Sequence, residues 1–278
     1  MTEDAEARLA YVVRRRVLDD VGGIFARAGL EALLVKGAGL AETVYREPWR
    51  RTMSDIDLVV RPTALSAALG ALVRAGVEVP PIPADRRRSY ALFEERAAIV
   101  SVGPVRTLVE VHTGLDKVVA HPIDWRGVWA RAACVEGLSP SLLVPCREDH
   151  ALLVVLHLAL SDFAHPYAWG DLAALFREGI DHEILALRAE AWGLTLPLAL
   201  GIERLAVAFP ELGLAELRAR LVVSPVRLVV ARRAFRNHEV RSRGTTWLAK
   251  QTVLREDFAR WSIGIMRFAV LRCADRLV

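Results

Sequence analysis

Lysine is nearly absent from this basic chain. Of the 37 lysines and arginines among 278 residues, only Lys36, Lys117 and Lys250 are lysines, so arginine carries the formal net charge of +4. Genome composition accounts for that exchange. A nucleic-acid footprint would cluster basic residues on one element, and nucleic acid therefore ranks behind other partners. Cysteine is scarce as well. Cys134, Cys146 and Cys273 are odd in number, far apart and without a CxxC pair, which excludes a disulfide framework and a cysteine zinc site. Long apolar runs are missing although 53% of residues are hydrophobic: "ALLVVL", Ala151 to Leu156, even extended through His157 to Leu160, falls short of the roughly 20 residues of a membrane span. The opening "MTEDAEARLA" is acidic and lacks the basic and apolar regions of a secretory signal, so a cytoplasmic location is expected.

What is present divides the chain in two. From Asp4 to about Ala28 apolar positions recur at helical spacing up to Gly29, predicting one long N-terminal helix over residues 1–30 that packs on the core. "EALLVKG" reads as a buried strand, "AGLAETVYRE" as a helix stopping before Pro48, "DIDLVV" as a second strand and "TALSAALGALVRAG" as a further helix. "YALFEE", "AAIVSV" and "TLVEVHTG" have strand character. Together they predict a mixed α/β domain over 31–140. Beyond Pro145, "REDHALLVVLHLALSDF", "WGDLAALFREG", "DHEILALRAEAWG" and "LPLALGIERLAVAF" are helical, predicting a bundle over 141–278. The final arginine-interrupted segment reads as a docked terminal helix rather than one lying on a membrane surface.

In "RTMSDIDLVV", Asp55 and Asp57 alternate with Ile56, Leu58 and Val60, so both acids share one face of a strand whose other face is apolar. Two carboxylates held together repel unless a cation bridges them. Upstream, "LLVKGAGLAETVY" is a strand ending in Lys36-Gly37 that feeds a helix. Gly37 and Gly39 allow close backbone approach, and the first helical turn offers unpaired N–H groups to a phosphate, with Lys36 adding a full charge. Downstream, "LVEVH" places Glu110 on a later strand with His112 on the same face. Three carboxylates from two strands are what a two-metal phosphoryl-transfer site requires. Arg51 either binds phosphate or pairs with the acids at rest, since both satisfy the same charge. His157, Asp162, His165 and Asp171 do not match the spacing of a helical zinc motif. Capping and core pairing are their simpler reading, with Asp171 taken as a helix N-terminal acid after Gly170 and a loop at Pro166. His165 and Asp171 are nevertheless carried as candidates to touch the nucleobase or acceptor, and His112 as a candidate catalytic base or ligand beside its simpler reading as a satisfied sheet-edge histidine. Trp125, Trp129, Trp169 and Trp192 read as core or interface residues.

"KGAGLAETVYREPWRRTMSDIDLVV" followed by "LVEVHTGL" resembles the uncharacterised bacterial nucleotidyltransferase family of the polymerase β-like superfamily, in which a Lys-Gly turn replaces the Gly-Ser turn of better-known members. The resemblance covers Leu33 to Leu115 well and the helical region more loosely. It implies an α+β fold with a mixed sheet and a helical C-terminal domain, with the nucleotide in the cleft between the two. It further implies that Asp55, Asp57 and Glu110 bind Mg²⁺, or Mn²⁺ in its place, and that an NTP, ATP first among them, loses pyrophosphate as its NMP is transferred. Lys36, Gly37, Gly39, Arg51 and Ser54 are the nucleotide-binding positions by that match. The acceptor is expected to be a small molecule or a ribosomally made peptide, with RNA ends the weaker alternative. A non-catalytic nucleotide-binding or partner-binding module of the same fold is the alternative to the enzyme.

Overall fold

The computed structural model describes residues 2–83, 95–116, 121–236, 241–255 and 258–275. The first element is the long helix α1 (Glu3–Arg27), acidic in its first turn and basic in its last, as the helix dipole favours. It closes where expected, because Gly29 adopts φ +64° and the amides of Gly29 and Leu30 bond back to the carbonyls of Ala26 (3.1 Å) and Phe25 (2.9 Å). There follow β1 (Ala32–Val35), α2 (Lys36–Thr43), a 3₁₀ turn at Pro48–Arg50, β2 (Asp55–Val59), α3 (Leu65–Arg74), and the hairpin β3 (Glu95–Val102) and β4 (Val105–His112). Most of the expected strand "YALFEE" lies outside the described residues. Then come α4 (Trp125–Arg131), β5 (Ala133–Cys134) and β6 (Leu142–Val144).

These strands form one mixed sheet in the order β3-β4-β2-β1-β6-β5. β1 runs antiparallel to β2 and parallel to β6, β2 runs parallel to β4, and β3 pairs antiparallel with β4. The alternation expected of β2 holds. Ile56, Leu58 and Val60 join Leu34, Val109 and Val111 in a core completed by Val17, Leu18, Val21 and Phe25 of α1 and by Ala68, Ala71 and Leu72 of α3. Each fully buried side chain of this size contributes roughly 1.5–3 kcal/mol by leaving water. One apolar face thus fixes the register, and the register fixes which residues meet on the other face.

Helices make up the remainder of the described chain: α5 (Arg147–Leu160), α6 (Pro166–Arg177), α7 (His182–Ala191), α8 (Thr195–Ala208), α9 (Ala215–Arg220), α10 (Pro225–Ala234), α11 (Gly244–Leu254) and α12 (Phe258–Asp275). The fold is therefore α+β, a mixed sheet followed by a helical C-terminal region. By internal contacts the chain forms two compact units. One takes in the chain up to Leu115, Arg126–Cys146 and the residues from Leu271 on, and the other Asp116–Trp125 and Arg147–Val270. The apolar run Ala151 to Leu156 is a fully buried stretch of α5, and no helix among the described residues is long and apolar enough to cross a membrane. In α12, Trp261 is buried against Trp247, Leu248 and Ile265, while Ile263 and Met266 face outward.

In the second unit several polar groups taken into the interior find partners. The carboxylate of Asp149, fully buried, accepts from Arg188 at 2.9 Å, and buried Gln251 donates to the Ala159 carbonyl at 2.8 Å. The Asp116 carboxylate lies 3.5 Å from Arg255 and accepts from the His121 amide at 3.0 Å. Burial first, then the positive charge of Arg255, pushes the His121 imidazole down to about 4. The unfolded chain regains the ordinary value of 6.5 and so binds more protons between pH 6.5 and about 4. Stability therefore falls as pH drops through that window, by up to about 1.4 kcal/mol per pH unit. Thermal unfolding at pH 7 and pH 5 should show a smaller acid-induced loss for His121→Gln than for the wild type; equal losses would contradict this assignment.

Candidate active site

The face of the sheet opposite the apolar core carries the acids. Register pairs Asp57 with Val35 on one side and with Glu110 on the other, and His112 with Glu95. Asp57 is buried, 5% exposed, and its Oδ1 accepts from Lys36 Nζ at 2.5 Å and lies 2.9 Å from His112 Nε2. The same ring nitrogen lies 3.5 Å from Glu110, and His112 Nδ1 lies 3.7 Å from Glu95. Asp57, Glu110 and His112 can each bring one ligand atom within 4.8 Å of the others. Asp55, half-buried one step along the strand, accepts from exposed Ser54 at 3.4 Å.

Charge sorts these groups. Burial opposes ionisation of Asp57, but the His112 hydrogen bond and the Lys36 ammonium outweigh it and hold the carboxyl well below the ordinary range. Glu110 is lowered chiefly by its bond to His112. Burial works against charge on His112 and on Lys36, yet the acids raise both above their ordinary values. Asp55 goes the other way. Burial, then the fields of Asp57 and Glu110, raise its pKa, as expected of a carboxylate short of a cation. Asp57, Glu110 and His112, two carboxylates and an imidazole, are a donor set that a divalent cation such as Mg²⁺ or Mn²⁺ would fit.

Lys36 is set by backbone geometry. It opens α2 with φ +50°, a left-handed conformation that costs a lysine about 1–2 kcal/mol and a glycine almost nothing. The strain is offset by what its side chain does, which is to reach Asp57. No side chain caps the start of α2, and its first turn holds no acid, so the N–H groups there and the positive end of the helix dipole remain available to an anion. Gly37 leaves room for Arg51: a Cβ at this position would lie 2.7 Å from Nη2 and 2.8 Å from Cζ, the far end of that side chain. Arg51, 7% exposed, donates to the Thr52 carbonyl and lays its guanidinium over the turn. Gly39 is buried one residue further into α2, past the N–H groups that lack an intrahelical acceptor, and its carbonyl accepts from Thr43 at 2.8 Å.

Lys36, Gly37, Arg51, Asp55, Asp57, Glu110 and His112 thus come together in the first unit. His165 and Asp171 belong to the second. There the local expectation changes, because Pro166 is not in a loop but opens α6. His165 is the N-cap, its Nδ1 accepting from the Ala168 amide at 3.3 Å. Asp171 is not a helix N-terminal acid: it sits in the middle of α6 and is buried. Trp192 is a core residue, Trp169 stacks on Phe163 at 6.1 Å between centroids, and Trp129 lies under Arg61. Sequence reasoning missed Glu95, which only the β3–β4 register brings to His112.

A helix start that presents N–H groups beside a lysine, facing acids on the next strand, is an arrangement suited to holding a phosphate and a cation. The chain belongs to the family described as "Uncharacterised nucleotidyltransferase", whose profile matches residues 5–210. No curated protein and no solved structure matches it.

Substituting Gly37 tests the close packing of the turn. Gly37→Ala should displace the Arg51 guanidinium in a crystal structure of the variant while changing stability by less than about 1 kcal/mol in chemical denaturation, since the end of a flexible side chain can give way. An unmoved guanidinium would mean that Arg51 does not rest on this turn.

Proposed function

We propose that the protein is a cytoplasmic bacterial nucleotidyltransferase that uses Mg²⁺ or Mn²⁺ to transfer the NMP of an NTP, ATP first among them, to a small molecule or a ribosomally made peptide. The observation that carries this reading is the 2.5 Å contact of Lys36 with Asp57, which sets a cation at an uncapped helix start against the metal-type acids in a member of a nucleotidyltransferase family. The three free cysteines suit a reducing compartment.

In this reading Asp55, Asp57 and Glu110 would hold the cation, with His112 beside them. When bound, it would neutralise charge on the triphosphate and acidify the acceptor. The start of α2, Lys36, Arg51 and Ser54 orient the triphosphate so that the α-phosphorus faces the acceptor. An acceptor oxygen attacks the α-phosphorus, forming the new P–O bond as the α–β bridging bond breaks and pyrophosphate departs. The acceptor's proton passes to a carboxylate. Glu110, on β4 beside Asp57, is the carboxylate proposed to take it. His112 orients Asp57 and Glu110 through its hydrogen bonds.

One observation favours a second reading. Asp57 is already satisfied by Lys36 and His112, as it would be in a nucleotide-binding or partner-binding module that never takes up a metal.

Pyrophosphate release and transfer of α-phosphate label should be followed with each of the four NTPs and either metal. Asp57→Asn and the more exposed Glu110→Gln should each lower turnover by at least about 100-fold while circular dichroism stays native. Undiminished release in both variants would refute the proposal. Magnesium-dependent ATP binding without pyrophosphate release under any condition would favour the binding module.

A further inference from the structure

We propose that His112 is itself a metal ligand, and that the site holds its cation with Asp57, Glu110 and the Nε2 of His112. Glu95 positions the ring from its other side, and the site in consequence takes a first-row transition ion such as Mn²⁺ in preference to Mg²⁺. The inference deepens the transferase reading and rests on it for what the ion does, but on these four side chains alone for how the ion is bound. Among the described residues this is the one group of three His, Cys, Asp or Glu side chains able to bring ligand atoms within 4.8 Å of one another. Asp55, the expected third carboxylate, is not in it.

Register builds the set. Asp57 on β2 pairs with Glu110 on β4, His112 follows Glu110 by two residues on the same face, and Glu95 on β3 pairs with His112. The His112 ring is closed off from solvent, 3% exposed, and its two nitrogens serve different acids. Nε2 lies 2.9 Å from Asp57 and 3.5 Å from Glu110, and Nδ1 lies 3.7 Å from Glu95. A histidine that only completed the sheet would need one acceptor at each nitrogen. Here Nε2 stands between two carboxylates, where one ion is within reach of all three donors. The place already attracts a cation, since the Lys36 ammonium lies 2.5 Å from the same Asp57 oxygen. Carboxylates suit Mg²⁺ and Mn²⁺ alike, and the imidazole is what separates them: Mg²⁺ keeps to oxygen ligands and water, whereas first-row transition ions accept nitrogen. A ligating imidazole gives up its Nε2 proton to solvent as the ion enters and keeps the one on Nδ1. A carboxylate facing Nδ1 fixes that tautomer and the ring's orientation. Glu95 is that carboxylate, acting at 3.7 Å by its charge on the Nδ1 proton rather than through a close hydrogen bond.

The probe is Mn²⁺ added to the full chain without nucleotide. Pulsed electron paramagnetic resonance of the bound ion should show coupling to an imidazole nitrogen, and Mg²⁺ should bind at least about tenfold more weakly in competition. His112→Gln should remove the coupling and bring the two affinities together. Glu95→Gln should weaken Mn²⁺ by about tenfold or more and leave Mg²⁺ unchanged, a split that a merely structural role for Glu95 would not produce. Because His112 is buried, the wild-type spectrum decides without any variant: bound Mn²⁺ with no nitrogen coupling overturns the inference. So do an absence of Mn²⁺ binding, equal affinity for the two ions, and coupling that survives His112→Gln in a protein with native circular dichroism. Glu95→Gln weakening both ions alike would overturn the positioning role of Glu95. The two readings fail separately. Nitrogen-ligated Mn²⁺ without pyrophosphate release leaves the metal site standing without the transferase, and transfer with Mg²⁺ but no nitrogen coupling leaves the transferase standing with an all-oxygen site in place of the one inferred.

Discussion

Everything at the candidate site depends on keeping the Asp57 carboxylate ionised inside the protein. An unpaired buried carboxylate costs several kcal/mol, and here Lys36 and His112 close on the same oxygen at 2.5 and 2.9 Å. Each partner is held by a different constraint. Lys36 arrives through a left-handed backbone at the start of α2, and His112 through the parallel pairing of β2 with β4. The apolar face of the sheet supports both, because a one-residue slip of β2 would exchange Asp57 for Leu58 and place a charge in the core.

In the structure the ammonium and the imidazole neutralise Asp57. Asp55 is the acid whose charge the neighbouring cations leave least offset in this state. In the proposed reaction a divalent cation at the acids would free Lys36 to turn towards a triphosphate at the uncapped start of α2. Arg51 over Gly37 adds a positive charge at the start of α2.

Much of this was legible in the sequence. Period-two alternation in "DIDLVV" put both acids on one face, and the strand-to-helix turn at Lys36-Gly37 was readable from its glycines and from the helical pattern that follows. What lay hidden depended on distant pairing. β5 and β6 are too short to carry a periodic signal, and Glu95 reaches His112 only through the hairpin register. Asp171 was placed at a helix start because Gly170 precedes it, whereas Pro166 at the first helical position moves the start upstream and the acid into the interior. His112 was readable as sharing a face with Glu110, but its contact with Asp57 required the neighbouring strand.

The most direct test of the central claim is a crystal structure with Mn²⁺ and an ATP analogue bearing a methylene bridge between its α and β phosphates, with the metal located by anomalous scattering. The account predicts manganese at Asp57 and Glu110, with Asp55 in reach and Lys36 turned from Asp57 to the phosphates. Nucleotide bound elsewhere, or an intact Lys36–Asp57 pair with no manganese at these acids, would contradict it.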